Sequence, residues 1–221
     1  MLPQVLESAW EGYNASLLAY GQTGAGKSYS MMGTGAVLDD RLEPKHYGLI
    51  PRIAFALFQS IAQAQTGTEA MGGGGGSRFG VEVSYMEIYN EIVFDLFATG
   101  AGGQGGGGGG HAVHGSMGRA KGLKAPARLR VREHPTHGVY VQDLTIVAVN
   151  NYVEVGQLMS LGGRARTVAH TNMNETSSRS HAIFTITFRQ MATATDSAEK
   201  VRRISMGASL NYAPGRSPPP H

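Results

Sequence analysis

The chain has 221 residues, 41% of them apolar, with 32 glycines, no cysteine and a net charge of +3. That length suits one sizeable α/β domain, and the missing cysteines exclude disulfides and thiolate metal sites, as expected of an intracellular protein. The charge is too small to specify a polyanionic partner, no apolar run reaches the roughly 18 residues of a membrane span, and Met1-Leu2-Pro3 lacks the basic-then-apolar order of a secretory leader. The expectation is therefore no nucleic-acid partner and no membrane insertion.

In chain order, Val5, Leu6, Ala9 and Trp10 mark one face of a short helix starting near Pro3, where proline is tolerated in the first turn. Ser16 to Tyr20 is an apolar run ending at Gly21 and reads as a buried strand, with a helical segment over Ser28 to Met32. Ile50, Ile53, Ala54, Leu57, Phe58 and Ile61 recur at the spacing of an amphipathic helix. Val81, Val83 and Tyr85 alternate with Glu82 and Ser84, predicting a strand. Arg128, Arg130 and Arg132 alternate with Leu129 and Val131 in another, and Val139 to Val149 continues extended. A helix follows Asn150-Asn151, carrying Tyr152, Val155, Leu158 and Met159 on one face. Ala182 to Phe188, apolar on both faces, predicts a central strand, and Val201 to Met206 a weaker one. Strands alternating with helices predict an α/β fold whose mostly parallel central sheet is flanked by helices on both sides.

Glycine dominates Gly72 to Gly76 and Gly100 to Gly118, which read as loop insertions because such stretches lose much backbone entropy on ordering and bring no apolar surface. Tyr212 to His221, with Pro214 and Pro218-Pro219-Pro220, reads as disordered. The expected organisation is one domain over 1–206 and a Pro-rich tail over 207–221.

Gly21-Gln22-Thr23-Gly24-Ala25-Gly26-Lys27-Ser28 matches the phosphate-loop pattern G-x-x-x-x-G-K-[ST]. A triphosphate needs several backbone N–H groups converging on it, so the chain must curl without side chains in the way, and Gly21, Gly24 and Gly26 permit that. Lys27 supplies a point charge for the β- and γ-phosphates, and Ser28 a hydroxyl ligand for Mg²⁺. The loop follows an apolar strand and precedes a helix, the context this chemistry requires. Asn174-Glu175-Thr176-Ser177-Ser178-Arg179-Ser180-His181 admits two readings: helix termination with turn chemistry, or a γ-phosphate sensor, which needs short hydroxyls on a segment able to close and open.

Tyr20 to Gly33 resembles the kinesin phosphate loop, and Asn174 to His181 the kinesin switch I. Val81 to Glu91 and Ala165-Arg166-Thr167-Val168-Ala169 resemble further kinesin blocks in the right order, and Leu129 to Tyr140 is similar to the Unc-104-type vesicle-transporting class. The resemblance covers about Leu2 to Met206 and implies a P-loop NTPase-type motor domain using ATP and Mg²⁺, microtubules as partner, and a place in the cytoplasm on the microtubule cytoskeleton, with coiled coil elsewhere in a full-length protein. Gly21, Gln22, Thr23, Gly24, Ala25, Gly26, Lys27 and Ser28 would bind the nucleotide. Tyr29 would either lie near the adenine or pack on its helix. Ser177 and Ser178 would contact the γ-phosphate and the Mg²⁺ shell, so that Ser28 and Ser178 are the metal candidates. Asn174 would steady switch I and help position the attacking water, Arg179 would pair with a switch II glutamate, and His181 is structural rather than a base.

The chain departs from the family after Val201 to Met206. Kinesins continue with D-L-A-G-S-E; here Gly207-Ala208-Ser209-Leu210-Asn211-Tyr212 follows, Ala208 standing where the Asp belongs, and no D-x-x-G occurs anywhere. The expectation is a motor domain truncated at both ends, without the main tubulin-contacting elements and with an uncovered edge on the phosphate-loop strand. Three functions follow for comparison: a motor ATPase, a non-hydrolysing nucleotide- or partner-binding remnant with little or no ATPase activity, and an unrelated phosphate-loop NTPase.

Overall fold

The computed structural model describes residues 2–34, 46–70, 78–98, 127–136, 138–172, 180–191 and 200–209. Both glycine tracts and positions 210–221 of the expected tail lie outside these residues.

Helix α1 (Leu2–Glu11) leads into strand β1 (Ala15–Ala19), the phosphate loop and the short helix α2 (Lys27–Met32). Helix α3 (Leu49–Ala70) extends beyond the predicted periodic stretch at both ends. Strand β2 (Arg78–Tyr89) forms a hairpin with β3 (Ile92–Asp95), a strand the sequence did not suggest. The arginine-alternating segment is two strands, β4 (Ala127–Leu129) and β5 (Val131–His134), and the extended stretch after it is β6 (Gly138–Val141) and β7 (Val147–Val149). Helix α4 (Tyr152–Asn172) precedes the long strands β8 (Ser180–Met191) and β9 (Lys200–Ser209), so β9 runs three residues past the expected domain end at 206.

The main sheet has seven strands in the order β1-β9-β8-β2-β3-β4, with β7 also on β2; β5 and β6 form a separate exposed hairpin. The α/β class is as expected, but the mostly parallel arrangement is not. Among these pairings β1–β9 alone is parallel, and β2–β3, β2–β7, β2–β8, β3–β4 and β8–β9 are antiparallel. The reason is connection length: residues 90–91 and 192–199 are too few for a parallel crossover, which takes a dozen or more.

Among the described residues, the helices lie on one face of the sheet. Val81, Val83, Tyr85 and Glu87 of β2 and Ala182, Phe184, Ile186 and Phe188 of β8 are buried, whereas their alternates Glu82, Ser84, Met86, Ile183 and Thr185 are half-buried. The apolar members of the first set share a core with Ala9, Met31, Ile53, Leu57, Val155, Met159 and Ala165, so α1 to α4 pack on one face. An antiparallel sheet with one helix-covered face needs only this alternation. Trp10 fixes α1 to the face, its ring 5.1 Å from Phe188 and 5.7 Å from Phe79. Asn151 starts α4: its Oδ1 accepts from Glu154 N (2.9 Å), while Glu154 Oε2 accepts from Asn150 N (2.8 Å), a reciprocal cap.

Candidate nucleotide-phosphate site

The loop leaves β1 at Tyr20 and turns through Gly21, Gly24 and Gly26, all at positive φ (150°, 82° and 81°). Gly24 and Gly26 sit in the left-handed region, which a side chain would strain. Gly26 caps α2, whose first turn is closed by Ser30 N donating to Gly26 O (2.8 Å). Gln22, Thr23, Gly24, Ala25 and Ser28 are exposed on this curl.

Lys27 is the buried exception, 5% exposed. Its Nζ donates to Gly21 O (2.6 Å) and to Gln22 O, so the ammonium sits inside the curl on the loop's own carbonyls. Among the described residues these carbonyls alone compensate the ammonium, and a cation so held is ready to exchange them for an anion's oxygens. Beside it a cavity of about 230 Å³ opens between Leu17, Tyr20, Ala25, Lys27, Ser30 and Leu49. The loop thus fits a phosphate group, with Lys27 to neutralise it and the Ser28 hydroxyl free to reach a phosphate-bound Mg²⁺. Tyr29 is exposed at 49%.

Strand β9 brings a second feature to the loop. Its parallel register pairs Leu18 with Gly207 and Ala19 with Ala208, so the end of β9 lies beside the strand end from which the loop departs.

Of the other candidates, Asn174, Ser177, Ser178 and Arg179 lie outside the described residues. His181 is the second residue of β8, paired with Ile88 and with Ser209.

A polar cluster that sequence reading did not single out lies nearby, in the core. Arg166 of α4 donates through Nε to Glu87 Oε1 (2.7 Å) and through Nη2 to Ser180 Oγ (3.1 Å). Glu87 and Ser180 are 2% and 0% exposed. Glu87 and Arg166 each fall in a kinesin-like block, but nothing in their spacing along the chain pairs them. Tyr85, on the same face of β2, directs its hydroxyl to Met32 Sδ (3.9 Å), and its ring packs where Gly162 lacks a side chain. Burial pushes the Tyr85 hydroxyl above its ordinary range, partly opposed by the neighbouring Arg166 guanidinium. Because the folded protein then holds this proton to higher pH than the unfolded chain, its contribution is complete below about pH 10 and is lost as pH rises further. Stability measured by urea unfolding is expected to decline above that pH, and less steeply in Tyr85→Phe; identical slopes would contradict the assignment.

The kinesin motor-domain family model matches residues 1–210. Human Kinesin-like protein KIF1C is 44% identical over 207 residues, covering 92% of this chain and 15% of that protein. Human Kinesin-like protein KIF1B is 43% identical over 206 residues, covering 92% of this chain and 9% of its own length. Kinesin-related protein 1 of Dictyostelium discoideum is 40% identical over 212 residues (93% and 8%). A solved structure reported as "Structure of a fast kinesin: Implications for ATPase mechanism and interactions with microtubules" aligns with a TM-score of 0.70 at 35% identity, over 97% of this chain and 51% of that one. The chain therefore spans about half of that solved motor and a small part of each curated relative. KIF1-type relatives agree with the class that Leu129 to Tyr140 resembles.

Proposed function

Because the chain belongs to the kinesin motor-domain family, we propose that it binds MgATP at Gly21–Ser28, as the nucleotide-holding portion of a microtubule motor. The observation that carries this reading is Lys27, a buried cation held inside a glycine-turned loop by carbonyls that phosphate oxygens can replace. MgATP supplies the phosphoanhydride whose cleavage drives a motor. Lys27 would neutralise the β- and γ-phosphates, the N–H groups of the loop would cradle them, and Ser28 would face the metal. Asn174, Ser177, Ser178 and Arg179 are proposed to act on the γ-phosphate side, with Ser178 the second hydroxyl near Mg²⁺, and Tyr29 to flank the base. Cytoplasmic, microtubule-associated placement belongs to the same proposal. No helix among the described residues is long and apolar enough to cross a membrane.

A second reading, binding without turnover, is favoured by Ala208. Ala208, which pairs with Ala19, stands where the family motif has its aspartate, and alanine there would leave the metal one ligand short. We therefore expect the chain to bind MgATP yet release little or no phosphate, with or without microtubules. A phosphate-release assay on residues 1–221 tests this: robust microtubule-stimulated turnover would support the motor ATPase and sink the second reading.

A further inference from the structure

The cluster of Glu87, Arg166, Ser180 and Tyr85 is a costly way to fill a core. A buried ion pair is frequently no more stabilising than apolar residues of the same volume, so its presence calls for a reason beyond stability. Its placement suggests one. Tyr85, Glu87 and Tyr89 of β2 face the same side as Phe184, Ala182 and Ser180 of β8, because the antiparallel register pairs them in that order. Arg166, descending from α4 over this face, meets Glu87 and its diagonal neighbour Ser180 with two separate nitrogens. A narrow gap lined by Ser28, Met32, Tyr85 and Arg166 joins this fork to the underside of α2, and the Tyr85 hydroxyl contacts Met32 across it. One guanidinium therefore ties together the first residue of β8, the end of β2 and, through Tyr85, the helix that carries Lys27 and Ser28.

We propose that Arg166 is a positioning residue for the phosphate site: by holding Glu87 and Ser180 together beneath α2, it sets where the Ser28 hydroxyl stands relative to the start of β8. This rests on the MgATP reading above. The planar fork is essential to it, since lysine can answer the Glu87 charge but, as a compact ammonium on a flexible stem, cannot hold both partners in the same geometry.

The test uses Arg166→Lys, Ser180→Ala and the double variant, each titrated with a fluorescent ATP analogue in Mg²⁺ and in EDTA, with thermal midpoints recorded in parallel. The expected result is that both single variants melt within about 3 °C of the parent, while each loses about 3- to 10-fold in Mg²⁺-supported affinity and little in EDTA. The double variant should fall no further than Arg166→Lys, since both changes remove one interaction. Parent-like affinity in Ser180→Ala and Arg166→Lys, a loss confined to thermal stability, or additive losses in the double variant would each overturn the proposal. If the unaltered chain shows no MgATP binding that depends on Lys27, the nucleotide reading itself fails, and this inference with it.

Discussion

Replacing Lys27 with alanine is expected to weaken MgATP binding about 100-fold while leaving the fold intact. The ammonium is the buried positive charge of the loop, and the Gly21 and Gln22 carbonyls now hold it where a phosphate would be met. A charge-assisted contact of this kind contributes about 1.5–3 kcal/mol, which at its upper end is about a hundredfold in affinity. Gln22 is exposed and Gly21 half-buried, so water can serve both carbonyls once the lysine is gone. Arginine should rescue poorly, because its rigid fork does not fit the compact place of the ammonium. Titration with a fluorescent ATP analogue measures the loss, and circular dichroism checks the fold. An affinity within about twofold of the parent would show that Lys27 does not meet the phosphates.

Glu87→Ala is expected to be the most destabilising single change in the polar core. It strands the Arg166 guanidinium, whose side chain is 13% exposed, without a carboxylate beside it. Breaking such a pair from one side costs about 3–5 kcal/mol, roughly 10 °C of melting temperature for a domain of this size. Glu87→Gln retains an acceptor for Arg166 Nε and should recover part of the loss. The ion pair of Arg189 with Glu82 is the control. At 37% and 25% side-chain exposure, water screens it, so Glu82→Ala should cost under about 1 kcal/mol. Thermal melts of the three variants decide the matter; equal losses for Glu87→Ala and Glu82→Ala would contradict the ranking.

The parts of the fold that were legible in the sequence are those where periodicity and chemistry agree. Ile50 to Ile61 at helical spacing and Val81, Val83 and Tyr85 at strand spacing fall in α3 and β2 with their apolar faces inward. Strand β3 was missed because the β2–β3 turn is Asn90-Glu91, both at positive φ (46° and 63°). Asparagine accepts that conformation, but glutamate is no turn signal. Strand direction is not legible in the pattern, because alternation of strands and helices says nothing about which strands are joined too tightly to run parallel. In the candidate site, Gly21 to Ser28 could be read directly, since the glycine turns, Lys27 and Ser28 lie within one contiguous stretch. Arg166 with Glu87 could not: 79 positions separate them, and only the register of β2 on β8 and the path of α4 bring them together. Ala208 lies between. Its identity was visible as a departure, but its meaning comes from the pairing with Ala19 beside the loop.

Calorimetric titration of the 221-residue protein with MgATP tests whether the phosphate loop binds the nucleotide. One saturable site is expected, its heat disappearing in Lys27→Ala. No saturable heat, or a site that persists unchanged in Lys27→Ala, would contradict this expectation.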